Sequence, residues 1–124
     1  MVLDTHMVLA VLGQTDLDLP PEIANRLREP ANSFVSVASI WEIAIKHRIG
    51  KLSISFNLNR LPHILEDIGI AALDIEPKHT LADIGPEPIT KDPFDRLLLG
   101  VCAAEGMKLL TIDKALVDHP LVWR

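Results

Sequence analysis

Short apolar runs alternate with longer stretches of helical periodicity along the chain. Four runs are typical of buried strands: "MVLD", "SFVSV", "IAALDI" and "MKLLTID". Five segments between or beside them predict helices: "PPEIANRLREP", "ASIWEIAIKHRIG", "NRLPHILEDIG", "PKHTLADIG" and "DPFDRLLLGVCAAEG". Strands that alternate with helices predict an α/β fold on a parallel sheet.

Two of the predicted helices carry clear local signals. In the first, Ile40, Trp41, Ala44 and Ile45 recur at helical spacing before a stop at Gly50, and both tryptophans, Trp41 and Trp123, are predicted to be packing residues. The second has Asp92 as an N-cap, Pro93 at the first helical position and Gly106 as its stop. For Asp92 we favour this capping role over a role in chemistry.

Four carboxylates stand where a site would form in such a fold. Asp4 and Asp113 come at the ends of two predicted strands, and ligand sites of parallel sheets lie beyond the carboxyl ends of the strands. Glu42 lies among apolar residues of a predicted helix, so it needs a cation or a proton if it is buried. Asp95, in the first turn of its helix, suits the helix dipole and is also able to project into the crevice.

Each acid alone has a structural explanation. Asp4 and Asp113 would cap following helices, and Glu42 would pair with Lys46 four residues later. These explanations do not account for four carboxylates that lie close together. At an assumed ~5 Å and an effective dielectric of ~20, each pair would repel by roughly 3 kcal/mol. Such a cluster requires divalent cations. Oxygen ligands without cysteine favour Mg²⁺ or Mn²⁺ over zinc, and the matching chemistry is phosphodiester hydrolysis.

Composition narrows the setting of this chemistry. The chain has 124 residues, 48% of them hydrophobic, which predicts one domain covering residues 1–124. A single cysteine, Cys102, and the lack of a long apolar run predict a cytoplasmic protein that does not enter membranes. The net charge of −5 argues against a broad basic face for nucleic acid. The local cluster "KHRIGK" either meets phosphates or forms a solvated helix face.

Other enzyme classes are poorly supported by motifs. The five histidines show no HxxxH or HExxH spacing for zinc, and neither GxxxxGK[ST] nor GxGxxG is present. Phosphatases of the haloacid dehalogenase type use a second aspartate two positions after the first, where this chain has His6. Covalent aspartyl catalysis is therefore a weak alternative.

Three segments carry a resemblance to a known family. "LDTH", "SVASIWEIAIKHRIGKL" and "DPFDRLLLGVCAAEGMKLLTID" together resemble the PIN-domain family, specifically toxins of the VapC kind, over essentially the whole chain. The resemblance implies a three-layer α/β/α sandwich with a central parallel sheet, and a Mg²⁺- or Mn²⁺-dependent endoribonuclease that cuts tRNA or rRNA. It also implies a homodimer and a cognate VapB-like antitoxin, whose C-terminal segment presents an Arg to the acidic crevice.

The resemblance assigns roles to individual positions. The family's catalytic and metal-binding acids fall on Asp4, Glu42, Asp95 and Asp113. Two positions are secondary: Asp92, which precedes the third acid, and Thr111, a hydroxyl placed to hold a metal-bound water. Three cations are candidate RNA contacts: Lys46, Arg96 and Lys91.

This chain departs from the family pattern at two places. It has "LAVL" where a Trp often follows the opening segment, and "TKDPFDR" where "HRDPFDR" is frequent, so a histidine is replaced by Thr90. Neither change removes an acid, although the second bears on substrate preference. The alternative function is a PIN-like module that binds a protein or RNA without cutting it.

Overall fold

The computed structural model describes residues 1–124. Its four strands are β1 (Val2–Leu3), β2 (Phe34–Ser36), β3 (Ala71–Leu73) and β4 (Leu109–Leu110). Its six helices are α1 (Thr5–Val11), α2 (Pro21–Leu27), α3 (Val37–Arg48), α4 (Leu61–Asp67), α5 (Pro77–Leu81) and α6 (Pro93–Glu105). The predicted alternation of strands and helices is confirmed.

All four strands form one parallel sheet in the order β3-β2-β1-β4. Val2 is in register with both Phe34 and Leu109, so β1 is central. The chain builds outward from β1 through β2 to β3 and then returns to the other side of β1 with β4. The strand order therefore reverses between β1 and β4, and a crevice opens at such a point beyond the strand ends.

The sheet separates two hydrophobic clusters. Leu3 and Leu110 belong to the cluster that includes α1 and α4, whereas their neighbours Val2 and Leu109 belong to the cluster that includes α6. Successive residues of a strand point to opposite faces, which explains the division. Both faces of the sheet are covered, so the fold is a three-layer α/β/α arrangement, as predicted.

The helix ends follow their local signals. Asp92 caps α6 by accepting a hydrogen bond from the N–H of Phe94 at 2.8 Å, and Pro93 is the first helical residue. Gly106 ends α6 with a φ of +67°, a left-handed conformation that glycine adopts without steric cost. These predicted caps are confirmed.

Three local expectations were wrong or held only in part. The segment "PKHTLADIG" is helical only over Pro77–Leu81, because the next residue, Ala82, has extended backbone. Asp113 precedes a series of turns and no helix. Trp41 packs against Phe94 but is 55% exposed, so the expectation of a packing residue holds only in part.

The longest helix, α6, has 13 residues. No helix combines the length and apolar character that crossing a membrane requires.

Candidate metal centre

The carboxyl ends of β1 and β4 meet where the strand order reverses. Asp4 directly follows β1, and Thr111 to Asp113 follow β4. Helix α3 leaves the end of β2 on the other side of β1, and it carries Glu42. The first turn of α6 supplies Asp95. Four distant parts of the sequence thus contribute one acid each to the same edge of the sheet.

Asp4 is held by hydrogen bonds from both sides of the site. It is 5% exposed; its Oδ1 accepts from the N–H of Met7 at 2.9 Å, and its Oδ2 accepts from the hydroxyl of Thr111. The same Thr111 hydroxyl accepts from the N–H of Asp113 at 3.0 Å. The hydroxyl of Thr111 therefore links the carboxylate of Asp4 to the backbone of Asp113, and its proton is donated to Asp4. Thr111 thus makes a positioning contact, and its predicted role of holding a metal-bound water stays a prediction.

Glu42 is compensated by a threonine and a lysine. It is 7% exposed, its Oε1 accepts from the hydroxyl of Thr5 at 2.5 Å, and its Oε2 lies 2.8 Å from Nζ of Lys46. The cation that a buried Glu42 requires is thus the residue four positions later, on the same helix face. Because Lys46 is itself partly exposed, it is able to contact an incoming anion.

Asp95 lies close to a second aspartate from the start of its own helix. Its Oδ2 accepts from the hydroxyl of Thr90 at 3.2 Å, and Thr90 also accepts from the N–H of Asp92 at 3.0 Å. Thr90 occupies the position where the sequence comparison with the resembled family expects a histidine. Its hydroxyl links the carboxylate of Asp95 to the backbone of Asp92. Asp92 both caps the helix and lines the site, so the preference for capping alone was too narrow.

These residues surround one small polar cavity of about 70 Å³ with no hydrophobic lining. Its lining consists of five carboxylates, one lysine, a threonine and a histidine: Asp4, Glu42, Asp92, Asp95, Asp113, Lys46, Thr5 and His6. A single ammonium group cannot neutralise five carboxylates. By this measure of volume about 10–15 Å³ holds one water, so the cavity has room for an ion with part of its hydration shell.

Burial and neighbouring charge raise the pKa of two acids of the cavity. Burial raises the pKa of Asp95 from 3.8 to about 6, and the negative charges of Asp92, Asp113 and Glu42 add to the rise. Burial also raises the pKa of Asp4, although hydrogen bonds from Thr111 and Met7 oppose it. A divalent cation would favour the ionised form of both acids and so oppose these shifts. The oxygen donors and the charge therefore fit Mg²⁺ or Mn²⁺.

Two of the predicted RNA contacts lie outside the acidic cavity. Arg96 donates to the carbonyl of Ala82 at 3.0 Å and pairs with Glu87 at 3.3 Å. Arg96 and Lys91 line a separate cavity of about 320 Å³, and Asp92 lines both cavities. Any contact of these cations with substrate would therefore lie beside the acidic cavity.

Sequence reasoning did not predict that Thr5 and Thr90 donate hydrogen bonds to the carboxylates of Glu42 and Asp95. Thr5 had one available signal, its position directly after Asp4. For Thr90 the signal was its place two residues before the N-cap. Neither signal identifies the acid that the hydroxyl meets.

A second group of potential ligands lies between α5 and α6. One ligand atom each from Glu76, His79 and Glu105 falls within 4.8 Å of the others. However, Nδ1 of His79 accepts from the N–H of Glu76 at 3.1 Å, so Nε2 carries the proton of a neutral ring and donates to Glu105 at 2.8 Å. Lys78 also pairs with Glu105 at 2.9 Å. These contacts favour a hydrogen-bonded link between two helices over a metal site.

Comparison with known proteins gives one assignment. No curated protein matches this chain. The model of the PIN domain family matches residues 1–120, nearly the full length, and includes all four of the predicted acids. PIN domains are generally nucleases that use a divalent metal, in agreement with an oxygen-lined cavity at the carboxyl edge of a parallel sheet. The chain belongs to the PIN domain family.

Proposed function

We propose that this chain is a Mg²⁺- or Mn²⁺-dependent endoribonuclease toxin of the VapC kind that cuts tRNA or rRNA in the cytoplasm. The observation that carries the proposal is the small cavity lined by five carboxylates at the reversal point of the sheet. Membership of the PIN domain family supports nuclease chemistry. The toxin role rests on the resemblance of "LDTH", "WEIAIK" and "DPFDR" to that subgroup.

The residues of the site have two kinds of role in this proposal: some would bind metal ions, and others position those ligands. Asp4, Glu42, Asp95 and Asp113 would bind the cations. Bound Mg²⁺ or Mn²⁺ supplies Lewis-acid chemistry, which helps water ionise and offsets the charge that develops on the attacked phosphate. Thr111 fixes the orientation of Asp4, so that its ligand oxygens need little rearrangement when an ion binds.

Lys46 has a second role in this proposal. The ammonium group of Lys46, which lies 2.8 Å from Glu42, would be free to bind a phosphate oxygen of RNA if Glu42 held a cation instead. Lys91 and Arg96, in the neighbouring cavity, would contact the RNA backbone farther along. The net charge of −5 makes such local cations necessary for binding a polyanion.

Two protein partners belong to the proposed function. A basic C-terminal segment of a VapB-like antitoxin, with an Arg directed at the carboxylates, would complement the acidic cavity and exclude the substrate. A homodimer would bury apolar surface, and Leu81 and Ile89 are 81% and 92% exposed. Both partners are inferred from the resemblance, and these surfaces are compatible with them.

The decisive experiment is incubation of purified, antitoxin-free protein with total cellular RNA in Mg²⁺ or Mn²⁺, with EDTA as a control. Asp4→Asn and Asp95→Asn each remove one cavity carboxylate, and asparagine caps a helix as well as aspartate does. Asp18→Asn is the matched control, because Asp18 is exposed in a loop outside the cavity.

Defined fragments that require metal, persist in Asp18→Asn and disappear in the two folded site variants would support the nuclease. Folded protein that cuts no RNA, or cuts it equally well in all variants, would favour the alternative function of a binding module. Sequencing the fragment ends would identify the RNA target.

A further inference from the structure

Trp41 is the one aromatic side chain of this protein that is mostly exposed. It is 55% exposed, whereas the other four aromatic residues, Phe34, Phe56, Phe94 and Trp123, are only partly accessible. Exposing a large indole ring forfeits hydrophobic stabilisation that burial would provide. The position of the ring therefore calls for an explanation outside the core.

The ring of Trp41 contacts one other aromatic ring. It meets Phe94 edge to face, with ring centroids 5.6 Å apart and an interplanar angle of 68°. Such pairs are favourable beyond the area they bury. Since Trp41 belongs to α3 and Phe94 to α6, the pair also bridges the two helices that carry Glu42 and Asp95. A preordered ring loses little conformational entropy when it binds a ligand.

The two aromatic residues are neighbours in sequence of two residues that line the acidic cavity. Trp41 directly precedes Glu42, and Phe94 directly precedes Asp95, so each ring is attached one Cα step, about 3.8 Å, from a cavity residue. Arg48, which is exposed, stands seven residues after Trp41 on the same face of α3, about 10 Å along the helix axis. An exposed aromatic ring on a helix that also carries a candidate metal ligand and an exposed cation matches the chemistry of single-stranded nucleic acid.

We propose that Trp41, in contact with Phe94, stacks on the base of a nucleotide next to the phosphate that would be cut at the acidic cavity. This inference rests on the proposed nuclease function and adds a residue that binds the base. Stacking would require that nucleotide to be unpaired, so it favours single-stranded segments or loops of RNA. It is tolerant of base identity, because every base has a π face.

The test uses fluorescence of variants with one tryptophan. Trp123→Phe leaves Trp41 as the sole tryptophan, and Trp41→Phe leaves Trp123. Both are made in an Asp113→Asn background to prevent cleavage, and titrated in Mg²⁺ with a short oligoadenylate and with an abasic oligomer of the same length. Binding is measured independently by the anisotropy of labelled oligomer.

We expect oligoadenylate to quench Trp41 at saturation, the abasic oligomer to leave it unchanged, and Trp123 to respond to neither. Trp41→Ala should weaken oligoadenylate binding roughly 5- to 150-fold, from ~1–3 kcal/mol per stacked base. Trp41→Phe should retain most of the affinity. Ile49→Ala, at the C-cap of the same helix and 59% exposed, should change nothing.

The inference is overturned by an emission of Trp41 that is unchanged at saturation, by an equal loss of affinity for the abasic oligomer in Trp41→Ala, or by a lack of oligoadenylate binding. A Trp41 signal that responds only to a protein partner or to self-association overturns it too. These outcomes are separable from failure of the proposed function, since cleavage of total RNA by the wild type is measured without reference to Trp41.

Discussion

Replacing Asp95 by asparagine should stabilise the metal-free protein near neutral pH, although Asp95 is a proposed catalytic residue. Asp95 is partly buried beside Asp92, Asp113 and Glu42, and its pKa is raised from 3.8 to about 6. The folded state therefore binds a proton more tightly than the unfolded state does. The asparagine side chain would carry no charge, and its oxygen would still accept the hydrogen bond from Thr90.

The sign and size follow from proton linkage. Below pH 3.8 Asp95 is protonated in both the folded and the unfolded state and does not affect stability. Between pH 3.8 and about 6 the folded state binds more protons, so the free energy of unfolding falls as pH rises. Above about 6 the full loss of stability is reached. A rise of this size corresponds to at most ~3 kcal/mol. Solvent screening of a partly exposed carboxylate and the lost favourable contact with the helix dipole reduce it to about 1 kcal/mol.

Urea denaturation in EDTA, followed by circular dichroism at about pH 4 and about pH 7.5, measures this difference. Asp95→Asn should gain about 1 kcal/mol, or several °C in Tm, over the wild type at the higher pH and almost nothing at the lower pH. Asp18→Asn should match the wild type at both. Saturating Mg²⁺ should stabilise the wild type more than the variant.

Two outcomes would refute this expectation: a variant Asp95→Asn that is less stable than the wild type in EDTA at about pH 7.5, or an advantage that is the same at both pH values. In the first case, the hydrogen bonds and helix dipole around Asp95 would outweigh its electrostatic repulsion. In the second, the gain would not come from the charge of Asp95.

Three further substitutions are tested by urea denaturation, two at the site and one where α6 packs on α5. Lys46→Met leaves Glu42 without its cation. It should lower the free energy of unfolding by about 1–2 kcal/mol in EDTA and by much less in Mg²⁺. An equal loss in both would contradict the role of Lys46 as the compensating charge. Thr111→Val removes the hydroxyl proton accepted by a buried carboxylate and should cost about 1–2 kcal/mol, whereas no loss would deny it a positioning role. Gly100→Ala would place a Cβ 2.0 Å from the carbonyl oxygen of His79 in α5. It should therefore force α5 away from α6 and lower the free energy of unfolding by about 1–3 kcal/mol or more. Unchanged stability would refute that close contact.

The negative charge of the cavity affects stability and proposed function in opposite directions. Five carboxylates in a cavity of about 70 Å³ destabilise the metal-free fold, and the same charge attracts divalent cations. Metal binding requires ionised acids, so affinity for Mg²⁺ should rise as pH passes the pKa of Asp95, about 6. The protein is therefore expected to be most dependent on metal for stability at neutral and higher pH.

The type and order of most elements could be predicted from the sequence, because the signals for them are local. Asp92, Pro93 and Gly106 set the ends of α6 through contacts within one helical turn, and short apolar runs between helices predicted the strands. The pairing of Glu42 with Lys46 was equally local, since residues four apart share a helix face. The family resemblance selected the same four acids and the three-layer fold.

Contacts between distant residues, in contrast, follow only from how the elements pack. The reversal of strand order between β1 and β4 places Thr111 against Asp4, a contact across 107 positions that no local pattern encodes. Packing of α5 near the start of α6 directs Arg96 to Ala82 and Glu87, away from the cavity its neighbour Asp95 lines. Exposure of Trp41 was also set by packing, because helical periodicity identifies a face but does not reveal which neighbour covers it.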